Sequence, residues 1–157
     1  MNSIKQQIGV EQDLGTHTFS AEEIVGFATR YDPQRFHVDP EAAAKSNFGA
    51  LCASGWHTTA VWMRLNVEDI KSQVQQAIVR GETPPQFGPS PGFENLKWLK
   101  PVYAGDTVRF TRTLKAVRAL QSRPGWSMMQ MSSAAYNQTG DKVLEFDSAA
   151  LVALPDS

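Results

Sequence analysis

An aspartate and a histidine five positions apart are the side chains of this chain best suited to acid–base chemistry. Asp32 and His37 lie in the segment DPQRFHVD, residues 32–39. A carboxylate and an imidazole can each titrate near neutral pH once perturbed, so together they can take a proton from water and deliver one elsewhere. Residues five positions apart do not share a face of a helix or of a strand. The two side chains therefore converge only if Pro33 to Phe36 forms a turn.

Each member of the pair also has an ordinary structural interpretation. An aspartate before proline often accepts a hydrogen bond from its own backbone in a turn. A lone histidine is more often a half-buried structural residue than a catalyst. Gly105 and Asp106 likewise indicate a hairpin turn rather than a reactive site. Asp32 and His37 therefore need support from the rest of the chain.

Cys52 and His57 are a second combination of residue types, able in principle to form a nucleophile and a base. Cys52 lies among small and apolar residues, where buried inert thiols are common, and nothing nearby predicts a lowered pKa. It is the only cysteine, which rules out an intramolecular disulfide, and no paired Cys/His spacing indicates structural zinc. We expect no metal site.

The composition indicates one globular domain. With 157 residues, 41% of them hydrophobic and 20% charged, the chain can bury a core without disulfide or metal support. Its formal net charge of -1 provides no global field for nucleic acid or anionic membranes. Met1–Ile8 lacks the apolar core of a signal peptide, and no stretch is long enough to cross a bilayer. We expect a cytoplasmic protein with one domain over residues 1–157, including a polar lead-in over residues 1–15.

A helix is predicted to position Asp32. Thr16–Phe19 is typical of a short strand, and Ser20–Glu23 forms the S-x-x-E capping box of a helix that begins near Ala21. Apolar residues follow at helical spacing. Pro33 biases Asp32 away from helical conformation, so Asp32 should lie at the helix exit.

Two more helix starts follow. Asp39, with Pro40 after it, predicts a brief helix. Ser54 and Gly55 precede Trp56–Val79, a segment without proline or glycine that predicts one long helix, broken at most once. The apolar residues expected to face a sheet from this helix are Ala60, Val61, Leu65 and Ile70.

The second half of the chain is predicted to form strands. Residues 81–92 contain four prolines and three glycines and indicate an irregular connection. Beyond it, the predicted strands are Glu94–Leu99, Thr107–Val117, Trp126–Tyr136 and Val143–Leu154. Helices followed by hairpin-connected strands are the pattern of an α+β domain, here an antiparallel sheet wrapped around one long helix.

Three segments resemble one known family. Residues 32–39 are similar to the hydratase motif of the MaoC-like family, which runs Asp, any residue, Asn, Pro, any residue, His, any residue, Asp. Phe48–His57 resembles the glycine-containing start of the family's central helix, and Trp98–Thr107 resembles its Pro-Val-x-x-Gly-Asp turn. The segments occur in family order, and the resemblance covers roughly Phe19 to Val152.

The resemblance implies a hot-dog fold and the activity of an enoyl-thioester hydratase or dehydratase. Asp32 and His37 would hold a water, add its oxygen to the β-carbon of a 2-enoyl-CoA and return a proton to the α-carbon, or run the reverse reaction. Gly55 would let the thioester oxygen approach the helix start, where backbone N–H groups stabilise an enolate, with Ser54 at the N-cap. The family implies a homodimer or higher homo-oligomer and no cofactor beyond the CoA of the substrate.

The motif departs from the family pattern at two positions. Gln34 and Arg35 stand where the family has Asn and Pro, and Gln34 can replace the Asn with a longer reach. Arg35 can be solvated or can meet an acidic substrate or a CoA phosphate. Other candidates for a CoA phosphate are Lys97, Lys100 and Arg64. Trp56, Trp62 and Met63 either fill the core or line an acyl pocket, and the core is the better-supported expectation.

Two alternatives remain open at this point. One is a hot-dog acyl-CoA thioesterase, whose carboxylate usually comes from within the long helix. Trp56–Val67 contains no Asp or Glu, which favours the hydratase. The other is a non-catalytic acyl-thioester-binding protein. The presence of both Asp32 and His37 argues against it.

Overall fold

The computed structural model describes residues 4–155, so the first three residues of the predicted lead-in lie outside the described part of the chain. The helices are α1 (Ala21–Tyr31), α2 (Arg35–Val38), α3 (Pro40–Ala44) and α4 (Gly55–Val79). The strands are β1 (Glu11–Thr18), β2 (Gln86–Phe87), β3 (Gly92–Trp98), β4 (Thr107–Ala119), β5 (Trp126–Tyr136) and β6 (Lys142–Ala153). A short 3-10 helix, Lys5–Gln7, precedes β1.

The predicted helix starts are confirmed. At α1 the Ser20 side chain accepts a hydrogen bond from the backbone N–H of Glu23, whose own side chain bonds the Ser20 N–H, which completes the capping box. At α3 the Asp39 side chain accepts from two backbone N–H groups, and Pro40 occupies the first turn. α4 runs unbroken to Val79. Within residues 4–155, no helix combines the length and apolar composition needed to cross a membrane.

All strand pairs in the described sheet are antiparallel. The order is β1-β4-β5-β6-β2, and β3 pairs with β6 on the same side as β2. The sheet packs around α4. Its core joins residues of the helix to residues of the three long strands: Val61, Trp62, Leu65, Val108, Phe110, Ala135, Val143, Leu144 and Phe146.

The helix face turned to this core differs from the predicted one. Val61 and Leu65 are buried as expected, but Trp62 takes the place expected for Ala60, which is exposed, and Ile70 is only half-buried. The physical reason is helical geometry, because Val61, Trp62 and Leu65 follow i, i+1, i+4 on one face while Ala60 lies to its side. The Trp62 indole N–H also donates to the Thr111 carbonyl at 3.1 Å, which anchors the ring.

β1 begins at Glu11, earlier than the strand predicted at Thr16. Only Leu14 is buried in it, and it is a terminal strand of the sheet, so its apolar alternation is weak. The register also shifts between Asp13 and Gly15, where the glycine has φ +105°. Most of the predicted lead-in therefore belongs to the sheet or to the turn before it.

Candidate active site

The exit of α1 and the single turn of α2 bring Asp32 and His37 together. The Asp32 backbone N–H donates to the Ala28 carbonyl and closes α1. Gln34 is extended, with φ -70° and ψ 141°, and its carbonyl accepts from the His37 N–H at 2.9 Å. The chain reverses at Pro33, and His37 Nε2 lies 3.5 Å from Asp32 Oδ2.

The Asp32 carboxylate is held by two side-chain donors. The Ser54 hydroxyl donates to Oδ2 at 2.7 Å, and the Gln34 amide donates to Oδ1 at 2.8 Å. Burial opposes ionisation, but these two hydrogen bonds and the adjacent His37 outweigh it and lower the pKa of Asp32. The carboxylate is thus not engaged with its own backbone, as an ordinary turn aspartate would be.

The His37 ring is fixed by a backbone carbonyl. Its Nδ1 lies 2.6 Å from the carbonyl oxygen of Cys52, and the residue is only 6% exposed. Since a carbonyl can only accept, Nδ1 carries the hydrogen and donates it. Nε2 is then the ring nitrogen on the side where Asp32 Oδ2 lies.

The start of α4 lies against this pair. Ser54 occupies the N-cap position but makes no capping hydrogen bond, because its hydroxyl donates to Asp32 instead. The first N–H groups of a helix have no partner within the helix, and here the N-cap side chain does not supply one. Gly55 thus begins α4 with backbone donors and the positive end of the helix dipole close to the carboxylate–imidazole pair.

Gly55 is also packed against an indole ring. A Cβ at this position would lie 2.2 Å from Cδ2 of Trp98, a distance that no side chain tolerates. The Trp98 indole N–H donates to the Thr59 hydroxyl at 3.2 Å, and its ring meets Trp56 edge to face at 4.9 Å. The structure therefore gives Gly55 a packing reason to be glycine, in addition to the one expected from the sequence.

Cys52 and His57 do not form a nucleophile–base pair. The Cys52 sulfur lies 3.8 Å from His37 Nδ1, and burial raises the pKa of the thiol to about 11. A thiol that stays protonated is a poor nucleophile. The sequence interpretation of Cys52 as an inert buried residue agrees with this environment.

His57 belongs instead to a second carboxylate–imidazole cluster. Glu23 Oε1 lies 2.5 Å from His17 Nε2 and 3.4 Å from His57 Nε2. Phe27 stacks on the His57 ring with a centroid distance of 4.6 Å, and Arg64 bonds His17 Nδ1 at 3.2 Å. Its members come from β1, α1 and α4, and no local sequence pattern links them, so the sequence carried no signal for this cluster.

Glu23 and His57 of this second cluster have shifted pKa values. For Glu23, burial is outweighed by the His17 hydrogen bond, the Ser20 backbone N–H and the neighbouring imidazoles, and the pKa is lowered. For His57, burial outweighs the attraction of Glu23 and lowers the pKa. In the described part of the chain, His57 Nδ1 is buried without a hydrogen-bond partner.

The basic residues considered for a CoA phosphate lie in separate ion pairs. Arg64 faces Glu68 at 3.5 Å, Lys97 faces Glu145 at 3.3 Å, and Lys100 faces Asp141 at 2.9 Å. The fourth candidate, Arg35, is exposed on α2. Three of the four candidates therefore each have a carboxylate partner within the single chain. Among residues 4–155, no three His, Cys, Asp or Glu side chains are grouped so as to hold a metal ion.

A cavity of about 480 Å³ lies between α4 and the sheet, and its lining along α4 begins at Trp56, the residue after Gly55. Its lining includes Trp56, Thr59, Ala60, Trp62, Met63, Asn66, Ile70, Gln73, Phe87, Phe93, Leu96, Arg112, Leu114, Met129, Met131, Phe146 and Ser148. Trp62 also fills the core as expected. The core expectation is wrong for Trp56 and Met63, which are 49% and 52% exposed and line the cavity.

The chain matches a family model described as the MaoC like domain, over residues 2–125. A curated relative, the uncharacterized protein YdeM of Bacillus subtilis, is 29% identical over 133 residues, which is 85% of each chain. The 3-hydroxyacyl-thioester dehydratase Z of Mycobacterium tuberculosis is 35% identical over 104 residues, 66% of this chain and 62% of that protein.

Solved structures share the fold. A MaoC-like dehydratase from Rhodospirillum rubrum superposes with a TM-score of 0.74 and 32% identity, covering 98% of this chain and 97% of that one. The (R)-hydratase from A. caviae superposes with a TM-score of 0.63 over 94% and 96% of the two chains; at 20% identity it bears on the fold alone. The predicted hot-dog fold, an antiparallel sheet around a long helix, is confirmed.

Proposed function

The chain belongs to the MaoC-like family of dehydratases, and from that premise we propose that it is a hydro-lyase that adds water to the double bond of a 2-enoyl-CoA thioester, or dehydrates the 3-hydroxyacyl-CoA. One observation carries the proposal: His37 Nε2 and Asp32 Oδ2 lie 3.5 Å apart while His37 Nδ1 is fixed on a carbonyl. With His37 in its neutral form, both facing atoms are hydrogen-bond acceptors.

Two acceptors side by side suit a water molecule. A water that donates one hydrogen to Asp32 Oδ2 and the other to His37 Nε2 has its own lone pairs directed away from both. This orientation points the nucleophilic oxygen at a substrate carbon placed across the pair. Ser54 and Gln34 support it, because they hold the carboxylate and keep it ionised.

The addition then proceeds with all atoms accounted for. His37 Nε2 accepts a proton from the water as the oxygen bonds to the β-carbon, and the double-bond electrons move onto the thioester oxygen as an enolate. The imidazolium lies beside the Asp32 carboxylate, which stabilises its charge. The backbone N–H groups at Gly55 stabilise the enolate. The proton returns from His37 to the α-carbon, and the reverse sequence removes water.

The same proposal includes the setting of the enzyme. We propose that it acts in the cytoplasm as a homodimer on acyl-CoA substrates, without a further cofactor. Large apolar side chains outside the cavity remain exposed in the single chain on β3 and α4, among them Trp98 and Val67. A second copy that covers them would remove this apolar surface from water.

One assay tests the activity against both alternatives. The protein is offered crotonyl-CoA and longer 2-enoyl-CoAs, and loss of the conjugated-enoyl absorbance is followed together with release of free thiol. We expect hydration that is lost in Asp32→Asn and in His37→Gln. Thiol release without hydration would replace the proposal with a thioesterase, and no turnover of any acyl-CoA would replace it with a non-catalytic binding protein.

A further inference from the structure

A polar cluster in the wall of the cavity takes no part in the proposed chemistry. We propose that the cavity holds the acyl chain of the substrate and that Asn66 and Ser148 bind an uncharged oxygen, a hydroxyl or keto group, carried far along that chain. The inference rests on the proposed function and adds the class of acyl group to it.

The lining of the cavity follows α4 away from Gly55. Trp56 and Thr59 line it in the first turns, and Asn66 and Gln73 line it further along. At a rise of 1.5 Å per residue, Asn66 lies about 16 Å along the axis from Gly55. A chain whose thioester lies at Gly55 therefore reaches Asn66 only with its distal part.

A buried arginine organises the polar cluster. Arg112 is 8% exposed, and its guanidinium donates to Asn66 Oδ1 at 2.5 Å, to Gln12 Oε1 at 2.5 Å and to Asp69 Oδ2 at 2.8 Å. The Asp69 carboxylate compensates the charge of the guanidinium, and Gln73 donates to the same oxygen at 2.7 Å. The cluster thus carries no uncompensated charge, which disfavours a carboxylate at the end of the acyl chain.

The orientation of Asn66 follows from Arg112. Because the amide oxygen accepts from the guanidinium, the amide Nδ2 is turned elsewhere, and within residues 4–155 it has no hydrogen-bond partner. An amide nitrogen only donates, so this part of the wall offers hydrogens to an acceptor oxygen. A methylene chain has no such atom.

The sheet wall contains a second polar atom without a partner. Ser148 Oγ is buried and forms no hydrogen bond in the described part of the chain. Ser148 lines the cavity from β6, where its cross-strand neighbour is Met131. A buried hydroxyl without a hydrogen-bond partner is destabilising. After a rotation about its Cα–Cβ bond this hydroxyl can meet an oxygen-bearing ligand in the cavity, whereas a plain alkyl chain offers it no partner.

Arg112 itself is a poor test residue, because it also ties α4 to β1 and β4. Asn66 and Ser148 are better, since the atoms in question hold nothing else in place. Asn66→Leu removes the Nδ2 donor at similar volume, and with it the Oδ1 that accepts from Arg112, so its Tm is measured beside its kinetics. Ser148→Ala removes a hydroxyl without a partner, so we expect this variant to keep the Tm of the wild type. Glu68→Gln, at an exposed position of α4, is the matched control.

The experiment compares kcat/KM for dodecenoyl-CoA with that for dodecenoyl-CoAs bearing a distal hydroxyl, keto or carboxylate group. Each value is normalised to crotonyl-CoA, whose chain is too short to reach Asn66. We expect the wild type and Glu68→Gln to favour the hydroxyl or keto chain by about tenfold, the equivalent of one or two hydrogen bonds. Asn66→Leu and Ser148→Ala should each lower this ratio toward that of the plain chain.

The outcomes separate this inference from the proposed function. Preference for the plain chain or the carboxylate, or a ratio unchanged in both variants, would overturn the inference while hydration itself persists. Failure to hydrate crotonyl-CoA as well would overturn the proposed function. If Asn66→Leu does not fold, as judged by its Tm, Ser148→Ala alone decides.

Discussion

Two carboxylate–histidine pairs lie beside the first turn of α4. In one, Asp32 Oδ2 is 3.5 Å from His37 Nε2, and in the other, Glu23 Oε1 is 3.4 Å from His57 Nε2. Both carboxyl groups have lowered pKa values. Neither the distance between carboxylate and imidazole nor the direction of the pKa shift distinguishes the pair proposed to react from the other pair.

The difference lies in what occupies the remaining hydrogen-bonding positions. Asp32 is held from the sides by Ser54 and Gln34, and its histidine is turned by the Cys52 carbonyl so that His37 Nε2 faces Asp32 Oδ2. Glu23 Oε1 is instead hydrogen-bonded to His17 Nε2. The first arrangement leaves a place for a water that donates to both atoms, and the second fills it with an imidazole N–H.

The Glu23 cluster has a structural task. Glu23 completes the capping box of α1 and links that helix to His17 on β1 and His57 on α4. Since Asp32 lies at the other end of α1, this link fixes the carboxylate relative to the start of α4. One cluster is expected to do the chemistry and the other to hold it in register.

Replacing Asp32 and Glu23, one at a time, by the corresponding amide should give the largest difference between the proposed catalytic role and the structural role. We expect Asp32→Asn to lower kcat/KM for crotonyl-CoA by about 10²–10⁴-fold, because an amide nitrogen beside His37 Nε2 removes one of the two acceptors. Glu23→Gln should retain activity within about tenfold and lower the free energy of unfolding by about 1 kcal/mol, the size of a capping contribution.

Steady-state kinetics and denaturant unfolding of the two variants measure both quantities. The comparison breaks if Glu23→Gln loses as much activity as Asp32→Asn while remaining folded, because Glu23 would then act on the reaction as well.

The sequence predicted the elements that carry the site better than the contacts within it. Capping at Ser20 and Asp39 and the exit of α1 at Asp32 depend on neighbouring residues, and all three were predictable. The bounds of β5 and β6 were also predictable to within one residue, because both strands are long runs without proline or glycine. β1 was placed too late, since an edge strand with one buried residue has little alternation.

Contacts between segments that are distant along the chain could not be predicted from the sequence. The resemblance singled out Gln34, but its bond to Asp32 Oδ1 requires the reversal at Pro33. Ser54 was expected to cap α4, yet its hydroxyl turns to Asp32 across an interval of 22 residues. The Glu23 cluster combines three elements whose apposition is set by the packed core. Such pairings follow from tertiary packing, which no local pattern encodes.

Gly55 allows a test of the proposed thioester site, because two different constraints can require glycine at this position: packing against Trp98 and close approach of the thioester. An added Cβ would collide with the Trp98 ring, so we expect Gly55→Ala to lower the free energy of unfolding by about 1–3 kcal/mol through overpacking. If the thioester also needs the space, hydration should fall as well.

The double variant Gly55→Ala, Trp98→Ala distinguishes the two reasons. We expect it to regain the stability of Trp98→Ala alone, because the clash is gone, while kcat/KM stays low because the methyl group still stands where the thioester approaches. Thermal unfolding and turnover of crotonyl-CoA give the two readings. Recovery of full activity would mean that packing against Trp98 is the sole demand on this glycine.

The smallest expected effect is a pH dependence of stability that belongs to the Glu23 cluster. The folded state lowers the pKa of His57, so below its ordinary value of 6.5 the unfolded chain binds a proton that the folded chain does not. Stability falls with falling pH wherever the unfolded state binds more protons. We therefore expect the Tm to decrease as the pH is lowered from 6.5, and to do so less in His57→Asn.

Asp32 should behave differently over the same range. Its lowered pKa means that it contributes stability above its ordinary value of 3.8 and loses it only as the pH falls further, through the folded pKa. Asp32→Asn should therefore keep the wild-type decrease in Tm just below pH 6.5, whereas His57→Asn should reduce it. A slope that vanished in Asp32→Asn and survived in His57→Asn would assign the titration to the reacting pair and reverse the roles given to the two clusters.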